Sequence, residues 1–463
     1  MISLFKTKFN WPVYLLTVLI LRVLLINMEW YFFAAISISL FEFMLLFYSI
    51  GYVLPVRYIA GSLMCIQMLV GPTLAYNGLD QYQRGFLKMQ IPPYDYFIYA
   101  LPAVVAFILG LHAFAGKLKG EFVPTEKINE FVTRNPRLPY LFVGIGFFSS
   151  VASTFFSSEL GFVFVLLGSF KYIGAFLLIL GSQKTKPIVL ALVYGSIILS
   201  SLRGAMFHDL ITWLIFLGTV FAIKYRPSNY IKATFVIGFI LIAIVIQQLK
   251  GDYRKAVWQE GATGGLETFS STYEDAEESG GFFSAEKLGA SNIRINQGFI
   301  ITNIMQTVPD VVPYEYGKEL LQILEAAILP RILAPNKLRA GDREIFMKYS
   351  GIPLLPGTSM GLSSMGDGYI NFGIVGGIFF MFFYGMLFSG VLNLFYNNSK
   401  YYPILILFTP LVFYYPIRPD CELQTILGHI FKSCFLLFVM IQVWDHIFRY
   451  RRPGRNTLPV IGN

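Results

Sequence analysis

Residues 402–443, YPILILFTPLVFYYPIRPDCELQTILGHIFKSCFLLFVMIQV, consist of two apolar runs separated by a short polar stretch. The polar stretch contains Arg418, Asp420 and Glu422. A helix needs about 20 apolar residues to cross a bilayer, and charged side chains are costly within the hydrocarbon. The pattern therefore predicts two membrane helices, near 402–417 and 423–447, whose charged connection lies at one face of the membrane.

The composition of the whole chain is that of a membrane protein. Of its 463 residues, 55% are hydrophobic and 14% are charged, whereas soluble domains carry about 25% charged residues. The predicted fold class is an all-α polytopic membrane protein with about 12 transmembrane helices. The other ten are predicted near residues 11–28, 31–54, 58–76, 95–116, 138–158, 160–181, 187–202, 206–223, 231–249 and 369–396.

Basic residues are distributed unevenly between the two sides of this bundle. If the N-terminus is cytoplasmic, the connections on its side are mostly basic, and most acidic residues fall on the other side. The positive-inside rule favours this orientation, which makes both termini cytoplasmic. The predicted organisation is helices one to nine in residues 1–249, an extracytoplasmic lid in 250–368, helices ten to twelve in 369–447 and a cytoplasmic tail in 448–463.

The lid has two kinds of sequence. Residues 259–290 are rich in glycine, serine and acidic residues, which is typical of a mobile loop. Residues 318–334 have apolar side chains at helical spacing, which predicts an amphipathic helix on the outer leaflet or on the bundle.

Two arginines are predicted to lie at the outer ends of short helices. Residues 187–202 and 402–417 would each be about 24 Å long, against about 30 Å for the hydrocarbon core. Arg203 and Arg418 would then lie in an outward-facing depression, where a guanidinium group can bind phosphate through two parallel hydrogen bonds. The structural alternative is an arginine that extends to the membrane interface. His208, Asp420 and Glu422 are near these arginines in sequence.

Further residues, with His208, are predicted to bind the substrate. The basic ones would attract an anionic head group, since basic residues next to a membrane attract anions, and the polar ones would lie at the mouth of the tenth helix. An ordinary solvated loop is the alternative for the basic ones, and helix packing for the polar ones. They are Arg254, Lys255, Arg331, Lys337, Arg339 and Arg343 in the lid, and Asp367, Tyr369 and Asn371 in SMGDGYINFGIVGG, residues 364–377.

Several signals of other chemistry are missing from the sequence. It contains no P-loop, HExxH motif or paired cysteine set, so neither a metal nor a cofactor is predicted. Within the membrane, the charges of Arg22 and Glu42 are expected to pair across the first helical hairpin.

From about residue 140 to residue 445, the order of these features resembles the Wzy-type polymerases, which join lipid-linked repeat units of O-antigens, capsules and exopolysaccharides. The resemblance depends on four stretches in this order: SLRG (201–204), LPRILAPNK (329–337), GDGYINFGIVGG (366–377) and IRPD (417–420). The family usually has an acid–glycine or glycine–glutamate pair before Y-x-N-F-G, and Asp367 with Gly368 occupies that place here.

The resemblance implies a GT-C-like fold and a metal-independent, inverting glycosyl transfer at the outer face of the bacterial inner membrane. The substrates would be undecaprenyl-pyrophosphate-linked glycans, and membrane lipids and a chain-length regulator would be partners, without nucleic acid. Arg203, Arg418, Asp420 and Glu422 would be catalytic. The arginines would stabilise the leaving pyrophosphate. Candidates for the general base are Asp420, Glu422, His208 and Asp367.

Three alternatives remain open. O-antigen ligases share the architecture and often use a histidine in the outer loop, but residues 250–368 contain none, which favours a polymerase. A lipid-linked oligosaccharide flippase or another transporter would have repeated halves and ionisable residues near the membrane midplane. A structural subunit of an export system would not need the arginine–acid pairs.

Overall fold

The computed structural model describes residues 9–114, 121–156, 158–181, 187–278, 282, 285–329, 333–334, 336–338, 341, 343–356 and 358–449. Within these ranges the regular secondary structure is helical, apart from a single antiparallel bridge between Val53 and Phe122. The described residues include nine helices that are long and apolar enough to cross a membrane. The described fold is therefore helical and compatible with the polytopic membrane protein that the composition predicts.

The first quarter of the chain forms four apolar segments. They are α1 (Trp11–Leu24), α2 (Trp30–Ser49), α3 (Val56–Cys65) with α4 (Gly71–Tyr76), and α5 (Pro93–His112). A π-helical turn, Ile66–Val70, joins α3 to α4 in one span. Helix α5 begins at Pro93. Proline suits this position because a backbone N–H in the first turn would have no acceptor within the helix.

The middle of the chain continues this bundle. Its helices are α6 (Thr125–Arg134), α7 (Leu138–Ala152), α8 (Ser158–Gly168), α9 (Phe170–Leu180), α10 (Pro187–Gly204), α11 (His208–Tyr225) and α12 (Asn229–Trp258). Helix α12 continues past residue 249, where the membrane part was predicted to end. Lys232 and Leu249 are buried, but none of the residues between them is. Helix α12 is therefore packed near its two ends and loosely in between.

The lid is mostly helical. It contains α13 (Leu266–Glu278), α14 (Ala285–Ile295), α15 (Gly298–Thr307), α16 (Lys318–Ile328) and α17 (Arg343–Ser350). The prediction of a mobile loop over 259–290 is wrong, because apolar side chains at helical spacing pack on the bundle. The Phe269 ring lies 5.7 Å from that of Tyr253 and 5.9 Å from that of Phe207. The predicted amphipathic helix is present as α16, which ends before Pro330.

The C-terminal part contains α18 (Ser363–Asn398), α19 (Thr409–Val412), α20 (Leu423–Val443) and α21 (Asp445–Phe448). The predicted regular helix over 402–417 is replaced by a buried 3₁₀ segment, Pro403–Phe408, followed by α19. Pro410 and Pro416 explain the difference, since proline removes a backbone donor and disfavours helix at the preceding residue.

Helices α5 and α18 form the closest pair in the core. A Cβ atom added to Gly110 would lie 2.1 Å from the Phe382 carbonyl oxygen, and one added to Gly385 would lie 2.2 Å from the Phe107 carbonyl oxygen. Two glycines that face each other allow this close backbone approach. Tyr99 of α5 also donates its hydroxyl to the Met365 carbonyl oxygen at 2.6 Å. This contact helps to fix the start of α18, where part of the candidate site lies.

Candidate functional site

The turn between α10 and α11 is held by the C-terminal part of α12. The Tyr253 hydroxyl donates to the Leu202 carbonyl oxygen at 3.0 Å, and the Arg254 Nε donates to the Ala205 carbonyl oxygen at 3.0 Å. Arg203 lies in the last turn of α10 and is exposed. A Cβ atom on Gly264 would lie 2.8 Å from the Arg203 Cα, so the lid backbone packs directly on this helix end.

The start of α11 contacts the segment before α20. The Tyr414 hydroxyl donates to the Asp209 Oδ1, and the His208 and Tyr414 ring centroids are 5.9 Å apart. Burial raises the pKa of the Tyr414 phenol, and the neighbouring Asp209 carboxylate raises it further. Tyr414 therefore remains a hydrogen-bond donor that joins the start of α11 to the turn containing Arg418.

Arg418 and Asp420 form a partly buried ion pair. Their Nη2 and Oδ2 atoms are 3.1 Å apart, and the side chains are 21% and 32% exposed. Burial raises the pKa of Asp420, but the Arg418 guanidinium outweighs this effect and leaves the pKa below its usual value. The Arg418 Nε is buried without a hydrogen-bond partner among the described residues. The guanidinium group thus keeps its charge and one unused donor.

His208 belongs to this group through Tyr414, since its ring lies 5.9 Å from the Tyr414 ring, four residues before Arg418. We call His208, Asp209, Tyr414, Arg418 and Asp420 the arginine cluster. The structure therefore brings together three of the predicted site residues. Arg203, another of the predicted catalytic residues, is five residues before His208, at the end of the adjoining helix α10.

Glu422 faces the lid. Its carboxylate accepts from the Gly341 backbone N–H at 2.8 and 2.9 Å and from the Thr425 hydroxyl at 2.6 Å. The neighbouring Gln424 Nε2 donates to the Leu338 carbonyl oxygen at 3.0 Å. These contacts fasten the lid to the start of α20. The catalytic role of Glu422 stays a prediction, and its observed contacts are those of a positioning residue.

A second group of acidic side chains lies next to the contact between Glu422 and the lid. Glu319, Asp367 and Glu422 line a cavity of about 30 Å³ between the lid and the starts of α18 and α20, which is room for one or two water molecules. Asp367 is 3% exposed, and its Oδ2 has no partner among the described residues. Burial raises the pKa of Glu319 to about 7, while its hydrogen bond from Asn371 acts in the opposite direction.

Asn371 joins this cavity to the lid. Its Nδ2 donates to the Glu319 Oε2 at 3.0 Å and to the Asp367 carbonyl oxygen at 2.9 Å. Its Oδ1 accepts from the Gly317 N–H at 3.0 Å, at the start of α16. Asn371 is completely buried, so its observed role is to hold the lid on α18.

The remaining predicted residues are more dispersed. Lys255 is exposed beside Glu260 at 3.5 Å, the Lys337 Nζ donates to the Ala326 carbonyl oxygen at 3.0 Å, and the Tyr369 ring packs 5.3 Å from that of Tyr99. Arg254 holds the Ala205 carbonyl described above, and Arg343 is the partly buried first residue of α17. Arg331 and Arg339 lie outside the described residues.

Some site residues are not apparent from the sequence. Glu319 is the second residue of an amphipathic helix, where an acid is ordinary, and only the fold places it beside Asp367. The signal that was available for Tyr414 is its position four residues before Arg418. In the part of the chain that the structure describes, no group of three or more His, Cys, Asp or Glu side chains is arranged to hold a metal ion.

Comparison with known proteins gives a family but no activity. Residues 96–414 match the model of a domain of unknown function, DUF8712. No match was found among curated proteins or solved structures. The matched region covers more than half of the chain and runs from α5 to the middle of the arginine cluster. The chain therefore belongs to the DUF8712 family.

Proposed function

We propose that this protein is a membrane glycosyltransferase that polymerises undecaprenyl-pyrophosphate-linked oligosaccharide repeat units. The proposal places it in the bacterial inner membrane, with cytoplasmic termini and the arginine cluster at the outer face. It includes 12 spans in a GT-C-like arrangement. The nine long helices would be completed by three shorter apolar segments, Trp11–Leu24, Leu138–Ala152 and Pro403–Val412.

The observation that carries the proposal is the state of Arg418. Its guanidinium group is mostly buried, is held by Asp420 on one nitrogen, and has an unused Nε donor. A pyrophosphate leaving group gains negative charge as its bond to the sugar breaks. A fixed cation in a site of low dielectric stabilises that charge where it develops. Arg203, exposed at the adjoining helix end, would reach the same diphosphate from the other side.

The reaction needs a group that accepts the proton of the attacking hydroxyl. The acceptor oxygen forms the new bond to the anomeric carbon, and the pyrophosphate leaves with the electron pair of the old one. Asp420 is a weak base because Arg418 holds its pKa low, and Glu422 already accepts from Gly341 and Thr425. Asp420 would orient Arg418, and the proton acceptor stays open among His208, Glu422 and Asp367.

The lid would keep water away from the glycosyl donor. Glu422 and Gln424 bind Gly341 and Leu338 of the lid at the start of α20, and Asn371 fastens the start of α16 to α18. Water is the competing acceptor in any glycosyl transfer, so closing the site directs the sugar to the intended hydroxyl. A lid fastened at two places serves this purpose.

Reconstitution with lipid-linked repeat units in the absence of added metal tests the proposal. Wild type should form a ladder of elongated glycans, and Arg418→Ala should lower the rate by about 10²–10³. Arg22→Ala is the matched control, since Arg22 is an arginine on α1 whose Nη1 donates to the Met28 carbonyl oxygen. Ladder formation that survives both Arg418→Ala and Arg203→Ala would refute the assignment.

A transporter of lipid-linked oligosaccharides is the second candidate function. It is favoured by one observation, the completely buried Glu42 within α2, because ionisable residues inside membrane helices often mark transport pathways. Proteoliposomes decide between the two functions. A transporter moves the lipid-linked glycan across the membrane without elongating it, whereas a polymerase produces the ladder.

A further inference from the structure

Glu42 is a buried acid that the proposed reaction does not use. It lies in α2 and is 0% exposed, and neither carboxylate oxygen has a hydrogen-bond partner among the described residues. The expected pairing with Arg22 is wrong. The Arg22 Nη1 donates to the Met28 carbonyl oxygen at 3.2 Å, and its guanidinium lies 5.2 Å from the centre of the Phe33 ring.

The carboxyl group of Glu42 occupies a space that a glycine leaves on α3. A Cβ atom added to Gly61 would lie 2.4 Å from the Glu42 Oε2 and 3.1 Å from its Cδ. Ser62 donates its hydroxyl to the Glu42 backbone oxygen at 3.4 Å, so it satisfies the main chain and not the carboxyl group. The carboxyl group is thus enclosed between α2 and α3 without a donor from either helix.

The nearby charges form a separate pair. The Arg57 Nε is 3.2 Å from the Glu121 Oε1, with side-chain exposures of 1% and 10%, and the Arg57 Nη1 donates to the Ser389 Oγ at 3.2 Å. Arg57 acts on Glu42 through its charge but makes no hydrogen bond with it in the described structure. Two acids therefore share one guanidinium, and an ionised Glu42 would leave a buried negative charge uncompensated.

Among the described residues, the other groups named here around this site are neutral side chains. Tyr58 and Cys65 face it from α3, Ser39 lies one turn before Glu42 on α2, and Tyr396 of α18 lies beside the Arg57–Glu121 pair. His112 ends α5 near Arg57, and neither ring nitrogen has a partner among the described residues. An uncompensated carboxylate in such surroundings costs several kcal/mol, so the group neutralises instead.

We propose that Glu42 is a proton-binding site, at which the carboxyl group holds a proton until water or the Arg57 guanidinium reaches it. The site lies beside the end of α5 and the second half of α18, whereas the arginine cluster lies near the starts of α11 and α20. The proton would therefore be bound at a place separate from the proposed glycosyl transfer. This inference does not depend on the proposed function.

Infrared spectroscopy of the full-length protein in lipid nanodiscs tests the site. A difference spectrum between wild type and Glu42→Gln at pH 7 should show the loss of a protonated-carboxyl C=O band that shifts in D₂O. Glu130→Gln is the matched control, since its carboxylate is paired with Arg134 on α6, away from Arg57 and Glu42, and it should keep that band. A difference spectrum between wild type and Glu42→Gln that contains only bands of ionised carboxylate would overturn the proposal.

Thermal unfolding of the same variants gives a second readout. Glutamine has the size and neutrality of a protonated glutamate, so Glu42→Gln should fold and keep the melting temperature of wild type at pH 7. Failure of Glu42→Gln to fold would contradict the proposal, because it would mean that the charged form holds the bundle together. Gly61→Ala should displace the carboxyl group and shift its C=O band, and an unchanged band would count against the enclosed geometry.

Discussion

Replacing Glu422 by alanine should release the lid from α20. The substitution removes the acceptor of two donors, the Gly341 N–H at 2.8–2.9 Å and the Thr425 hydroxyl at 2.6 Å. A hydrogen bond to a charged group contributes about 1.5–3 kcal/mol. The lower value applies here because Glu422 is half-buried. Thr425 lies on α20 itself, so the Gly341 contact alone joins Glu422 to the lid. Its loss corresponds to about 1.5 kcal/mol, or roughly a tenfold increase in lid opening.

Hydrogen exchange of the Gly341 amide in nanodiscs measures this opening directly. Glu422→Gln is the matched control, because glutamine keeps the size and one acceptor oxygen and should increase exchange only about threefold. Under the proposed function, the alanine variant should also release free, hydrolysed glycan, since water enters the open site. Gly341 exchange that remains at the wild-type rate in Glu422→Ala would refute the role of Glu422 as a lid fastener.

Three further predictions follow from the fold and the site. Gly110→Val should prevent folding, because its Cβ would lie 2.1 Å from the Phe382 carbonyl oxygen. Gly144→Ala should be neutral, because no heavy atom lies within 4 Å of the added Cβ. Size-exclusion chromatography in detergent compares the folded fraction of the two variants. Burial raises the pKa of Glu319 from 4.5 to about 7, so the native state binds the extra proton and loses stability as the pH rises through this window. Glu319→Gln should therefore flatten the fall in melting temperature between these values, and an unchanged slope would contradict the assignment. Chelation of divalent cations should leave ladder formation intact, and its abolition would refute the metal-independent mechanism.

Hydropathy was enough to predict the bundle. Apolar runs of membrane length become helices at nearly the predicted positions, because a chain in lipid must satisfy its backbone within each segment. The failures occur where local sequence competes with packing. Residues 259–290 have a loop-like composition, but Phe269 packs on Tyr253 and stabilises a helix. Residues 403–412 are apolar, but prolines interrupt the regular helix.

The candidate site was predictable only in part. Arg418, Asp420 and His208 meet because the short connection before α20 and the start of α11 lie at the same end of the bundle, which follows from alternating helix direction. Glu319 could not be predicted, since its partner Asp367 is far away in sequence and only tertiary packing brings the two together. Glu42 was assigned the wrong partner because sequence proximity suggests Arg22, whereas the packing of α2 places it against Gly61.

The loose packing of α12 makes its orientation depend on lipid. The apolar part of this helix, residues 231–249, is about 29 Å long and matches about 30 Å of hydrocarbon, so a thinner or thicker bilayer changes its tilt. Tyr253 and Arg254 near its end hold the turn that carries Arg203 toward the arginine cluster. We therefore expect acyl-chain length to change the spacing between Arg203 and Arg418, so that thin and thick membranes differ in the turnover they support.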